Sequence, residues 1–240
     1  MLNRILKIAT PIILIGIILF IAYNTYQKAQ TSTDNPITVI PTNASVILQI
    51  NDVSNLSRTL KMYDIWGKLQ NVKQIEEVNK QTEAINKFFL TNQTIFPGNK
   101  LFISYHKVGA NNSATLYCTT FKREDITTNE DIIKLVSDDI STSEYDKQTI
   151  YYTESVQRYY SIVGDILFFS ESKMLLTDAI RTSNENTDNL FVNPSFSGSY
   201  KTISTSADIN LMLNYNNLFT LINTFTNIDS YISNFSEWTA

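Results

Sequence analysis

The sequence predicts an α+β protein: an antiparallel sheet with helices packed on one face, preceded by a single N-terminal transmembrane helix. Three observations predict it. Ile8 to Tyr23 reads IATPIILIGIILFIAY and carries no charge. Beyond it, short runs alternate apolar and polar residues between turn signals, as half-buried strands do. Between those runs lie stretches with apolar residues three and four apart, the period of an amphipathic helix.

The first element is the membrane segment. A bilayer core of about 30 Å needs roughly 20 mostly apolar helical residues. Ile5 and Leu6 lengthen the apolar run, with Lys7 snorkelling to the interface, and Tyr23 and Tyr26 fall where an aromatic belt would lie. Residues 5–26 are therefore expected to contact the lipid bilayer. Arg4 and Lys7 precede the segment, while Lys28 and then Asp34 follow it. The positive-inside rule puts the N-terminus in the cytoplasm and the rest outside. A cleaved signal peptide shares the charged start and apolar middle. Ala22-Tyr23-Asn24 and Lys28-Ala29-Gln30 are poor cleavage sites, which favours a retained anchor. Either reading means export.

This divides the chain into a cytoplasmic tail and transmembrane helix at 1–27, a polar linker at 28–36, an extracytoplasmic domain at 37–206, and the start of a second strand–helix unit at 207–240. The composition fits a folded exported body, with 43% apolar and 18% charged residues. The net charge is −4, and no Lys/Arg-dense run follows residue 30, so nucleic acid is not an expected partner. One cysteine, Cys118, allows no internal disulfide; it lies in a strand-like run and reads as a buried, inert thiol.

Pro36 and Pro41 bracket an extended lead-in. In Ser45 to Asn51, Val46, Leu48 and Ile50 share one face of a strand. A helix follows, with Leu56, Leu60 and Tyr63 on one side. Val72 to Leu90 is the strongest helix, striped by Ile75, Val78, Thr82, Ile85 and Phe89. Lys100 to Lys107 and Ala114 to Phe121 form a hairpin across Gly109-Ala-Asn-Asn112. Glu130 and Asp131 open a helix capped by Thr128 or Asn129, with Ile132, Ile133, Val136 and Ile140 on its apolar side. Thr149 to Thr153 and Gln157 to Val163 are Tyr-rich strands. Gly164-Asp165 turns the second into Ile166 to Ser170. Ser172 caps a helix through Arg181. Thr182 to Ser206 reads as a long loop carrying Leu190, Phe191, Val192 and Phe196.

Ala207-Asp-Ile-Asn-Leu-Met-Leu-Asn214 aligns without gaps on Ala44-Ser-Val-Ile-Leu-Gln-Ile-Asn51, and each run leads into an amphipathic helix. That marks a possible second repeat. No cap or turn closes the last helix before Trp238, which reads as an incomplete unit of a longer protein. The membrane segment, IPTNASVILQINDVSNL (Ile40 to Leu56) and the helix with Ile65, Trp66 and Leu69 together resemble a bacterial family of membrane-anchored envelope proteins of unknown function. That resemblance implies the bacterial inner (cell) membrane as the location. It transfers no activity and no catalytic residue.

Chemistry is thinly signalled. The single histidine, His106, has the opposite parity to Leu101, Ile103 and Tyr105, and is expected on the solvated face of its strand. One His and one Cys do not make the usual zinc shell. No Walker loop, G-x-G-x-x-G or G-x-S-x-G occurs, so no cofactor and no catalytic residue is assigned. The expected function is a non-enzymatic binding or scaffolding module of the envelope, with an envelope protein as partner. The alternatives are a glycan- or lipid-binding module, or an enzyme without a recognisable motif. For a ligand platform the candidates are Tyr151, Tyr152, Tyr159 and Tyr160, with Phe191 and Phe196 from the loop.

Overall fold

The computed structural model describes residues 35–62, 83–98, 100–110, 112–123, 126, 128–185, 189–225 and 237–239. The membrane segment at 5–26, most of the linker and much of the Val72 to Leu90 helix lie outside these residues. No helix among the described residues is long and apolar enough to cross a membrane. Residues Asp34–Ala240 form one compact unit.

That unit is α+β. Among the described residues nine strands make one antiparallel sheet in the order β4-β5-β6-β7-β3-β2-β1-β8-β9. The strands are β1 (Ala44–Ile50), β2 (Leu101–Val108), β3 (Asn112–Thr120), β4 (Ile140–Tyr145), β5 (Gln148–Thr153), β6 (Arg158–Val163), β7 (Ile166–Ser170), β8 (Ile209–Asn214) and β9 (Trp238–Thr239). The helices are α1 (Val53–Met62), α2 (83–91), α3 (Asn129–Lys134), α4 (Lys173–Asn184), α5 (Pro194–Tyr200) and α6 (Tyr215–Phe225).

Helices cover both faces of the sheet, not one. On the first face Ile47, Phe102, Leu116, Cys118, Phe168 and Met212 pack with Leu175, Leu176, Ala179 and Ile180 of α4 and Phe196 of α5. On the second, Ile50, Leu101, Tyr117, Tyr160, Ile162 and Leu167 pack with Val53 and Leu56 of α1, Phe89 of α2, and Ile132 and Ile133 of α3. Two covered faces explain why alternation misleads in β1. Ser45, Ile47 and Gln49 are buried, whereas Val46 and Leu48 of the expected core face are half-buried.

Local chemistry accounts for the other departures. The lead-in is a 3-10 turn over Pro36–Val39, because Asn35 caps it and Pro36 sits at its first positions. Helix α3 stops at Lys134, so Ile140 opens β4 and does not extend the helix. The Thr128 hydroxyl accepts from the Asp131 amide while the Asp131 carboxylate accepts from the Thr128 amide, a capping box. Strand β4 has no apolar alternation, because its residues Ser141 to Tyr145 are exposed on both faces. Its hairpin to β5 is made by Asp146 (φ 48°) and Lys147 (φ 63°), two residues in the conformation of a type I′ turn. Gly164 (φ 58°) makes the β6–β7 turn as its sequence indicates.

The stretch expected as a long loop is built. Asn189 caps a 3-10 turn at Leu190–Val192, and Asn193 caps α5 with Pro194 in its first turn. The asparagines that signal a loop are here helix caps.

The aligned strands are neighbours: β8 lies beside β1 in the same sheet. In their register Leu48 faces Leu211, which are equivalent residues in the sequence alignment. The two strand–helix units are therefore related by an approximate two-fold axis through that pair. Near one end of the pair the Asn51 side chain donates to the Ala207 carbonyl (2.6 Å). Near the other, Asn217 donates to the carbonyl of Ala44 (3.1 Å), the equivalent alanine.

Candidate functional site

Helix α2 does not seal the sheet beneath it. Between them lies an apolar cleft of about 190 Å³. Ala84, Ile85, Phe88 and Phe89 form its helical wall, and Val136 closes one side. Its floor is Leu101, Thr119, Leu167, Phe169, Tyr160 and Arg158. Each sheet residue here lies on the second face, as strand parity requires.

Aromatic packing fixes the walls. Phe88, Phe89 and Phe96 have ring centres 5.3 to 5.8 Å apart. The loop beyond α2 is tied to β3's end by the Lys122 amide, which donates to the Ile95 carbonyl (2.7 Å). Phe169 of the floor stacks on neighbouring Tyr117 at 4.8 Å and meets Tyr160 at 5.4 Å. The Thr119 hydroxyl is spent on the Lys100 carbonyl (2.7 Å). Burial raises the phenols of Tyr117 and Tyr160 above their ordinary range, so both stay neutral at physiological pH.

The six aromatic residues expected to form a platform are divided by the sheet. Tyr151 and Tyr160 pair on the second face, buried. Tyr152 and Tyr159 pair on the first face, half-buried, with rings 4.7 Å apart. Phe196 is fully buried and packs with Phe191, Tyr200 and Trp238 on the first face. Of the six, Tyr160 alone lines the cleft. The cleft could not be read from sequence, because it is made by α2 standing off the sheet.

His106 is not solvated. It is fully buried on the first face, with Phe102 and Ser104. Its Nδ1 lies 2.7 Å from Asn43 Oδ1 and its Nε2 lies 2.8 Å from Ser104 Oγ. The amide oxygen must accept, so Nδ1 carries the proton and Ser104 donates to Nε2. Burial drives the His106 pKa down to about 3. This Ser–His–Asn line has the connectivity of a hydrolytic triad, but both Ser104 and His106 are fully buried, where no substrate reaches the hydroxyl. It joins the segment before β1 to β2. Cys118 is also fully buried, and burial raises its thiol well above the usual range, as expected of an inert core thiol.

Fold and site together define an α+β sheet protein with a helix-roofed apolar cleft among the described residues. No protein-family model and no curated protein matches the chain. Among solved structures it is similar to TP0453 in its crystal form I, at 13% identity and a TM-score of 0.39, over 83% of this chain and 69% of that one. A likeness of that degree carries no argument about function.

Proposed function

We propose that this chain is a non-enzymatic binding module, held on the outer side of a bacterial cell membrane by residues 5–26, that takes an apolar chain into the cleft beneath α2. The cleft carries this reading. Its lining is apolar except for Thr119, Arg158 and the Tyr160 hydroxyl, and an apolar cleft with a few polar groups is the usual form of a small-ligand site. At about 190 Å³ it is smaller than the roughly 300–1,000 Å³ of drug-sized pockets, which suits one slender chain. The location rests on the uncharged run Ile8 to Tyr23 and its basic flank.

Full-length protein titrated with the neutral probe N-phenyl-1-naphthylamine tests the binding. Saturable fluorescence enhancement is expected, and Ala84→Trp, which fills the cleft from the exposed side of α2, is expected to weaken it at least ten-fold. Undiminished enhancement in that variant, with an unchanged melting curve, sinks the reading. The tether is tested by fractionation: release of the intact chain from membranes by salt alone would end it.

The partner protein expected from the sequence has its own support in β4, an edge strand of six residues without Lys or Pro. Such an edge presents unpaired backbone groups to an incoming strand. Ser143→Pro is expected to abolish pull-down of any partner bound there while leaving probe binding intact. Unchanged pull-down argues against the edge as the interface.

A further inference from the structure

We propose that the cleft selects a single-chain amphiphile with a carboxylate head, and that Arg158 is the residue that selects it; this rests on the cleft being a binding site, as inferred above.

Arg158 opens β6 on the α2 side of the sheet. Its guanidinium carbon stands 5.5 Å from the centre of the Tyr117 ring and 5.7 Å from that of Phe169. These rings stack on each other, so the charge rests against an aromatic shelf. A guanidinium carries five N–H donors around its edge. No described residue accepts from those of Arg158. The ion pairs among the described residues are Arg123–Asp165, Lys134–Glu130 and Arg181–Asp178.

Two carboxylates that act on the neighbouring phenols are engaged elsewhere. Glu171, which acts on the Tyr117 phenol, accepts from the Thr115 amide at 2.8 Å. Asp139, which acts on the Tyr160 phenol, accepts from the Ser155 amide at 2.6 Å. The other polar groups of the lining are already satisfied or neutral. One half-exposed cation with open donors thus lines an otherwise apolar cleft.

That combination fits an amphiphile, with its tail under α2 and its head on Arg158. A carboxylate matches a guanidinium through two parallel hydrogen bonds and balances one charge with one. A phosphate monoester, carrying close to two charges, would need a second cation, and Arg158 is the only cation among the described lining residues. The modest volume admits one chain and not two.

The experiment is calorimetric titration of the full-length chain, held in a detergent-free amphipol at neutral pH, with decanoate, 1-decanol and decyl phosphate. Decanoate is expected to bind about ten-fold tighter than decanol, the size of a partly exposed charge-assisted contact. Arg158→Gln is expected to remove that preference and leave decanol affinity within about two-fold. Retained decanol binding also shows that the variant is folded. Should Arg158→Gln not fold, Arg158→Lys keeps the charge but loses the fork, and is expected to cut the preference about three-fold.

Equal binding of decanoate and decanol, or a preference that survives Arg158→Gln, overturns the assignment of the head group while leaving the cleft as an apolar site. Tighter binding of decyl phosphate overturns the carboxylate. Failure of all three ligands to bind overturns the cleft itself.

Discussion

His106 makes the stability of this protein depend on acid. Its folded pKa is about 3 against about 6.5 in an unfolded chain. Below pH 6.5 the unfolded state takes up a proton that the native state refuses, so stability falls as pH drops towards 3. The slope from this residue is at most about 1.4 kcal/mol per pH unit. Urea unfolding of wild type and His106→Gln across that range is expected to show a shallower decline in the variant; equal slopes would refute it. Asn43→Ala is expected to cost about 1–2 kcal/mol by stripping the acceptor from a buried N–H. The strand containing His106 was legible in the sequence, but its burial was not. Phe102, Ser104 and His106 look like a wet face because two of the three are polar, and only the partners Asn43 and Ser104 make the imidazole acceptable inside.

Among the elements, those with strong local chemistry were the legible ones. The β2–β3 and β6–β7 hairpins follow their turn residues, and α3 and α4 begin at the threonine and serine that their sequences offer as caps. Removing the α3 capping box with Thr128→Ala is expected to cost about 0.5–2 kcal/mol by urea unfolding. What the sequence concealed was structure without apolar rhythm: β4, polar between Ile140 and Tyr145, and α5, set in a run of Ser and Asn. Both depend on tertiary partners. Helix α5 carries Phe196 against Trp238 at 4.9 Å, and Trp238 is 2% exposed. Trp238→Ala is expected to cost about 3–5 kcal/mol through the cavity it leaves, read as a drop in melting temperature. A cost below 1 kcal/mol would show that β9 adds little to the fold.

The molecule as a whole is a sheet clad on both sides, and that is why its cleft lay beyond periodicity. Amphipathic stripes show that α2 covers something; they do not show how closely. The gap above Leu167 and Phe169 arises from the relative placement of α2, β6 and β7, which are distant in sequence. Because Asp34–Ala240 is one compact unit, a fragment beginning at residue 35 is expected to fold in water and keep the full-length chain's affinity for an apolar probe. Aggregation of that fragment, or loss of binding, would mean that the first 34 residues complete the body.

The neighbours at the two-fold pair, Leu48 and Leu211, are joined early and late in translation. Strand β1 can pair with β2 once residue 108 has been made, yet its other edge stays bare until β8, Ile209–Asn214, has followed. Closing so long a loop is entropically slow. Until then the body is a half-finished sheet with a sticky rim, the state that a holdase chaperone is suited to guard. A chain truncated before residue 207 should therefore stay bound to a holdase during refolding, and the full-length chain, which supplies β8, should let it go.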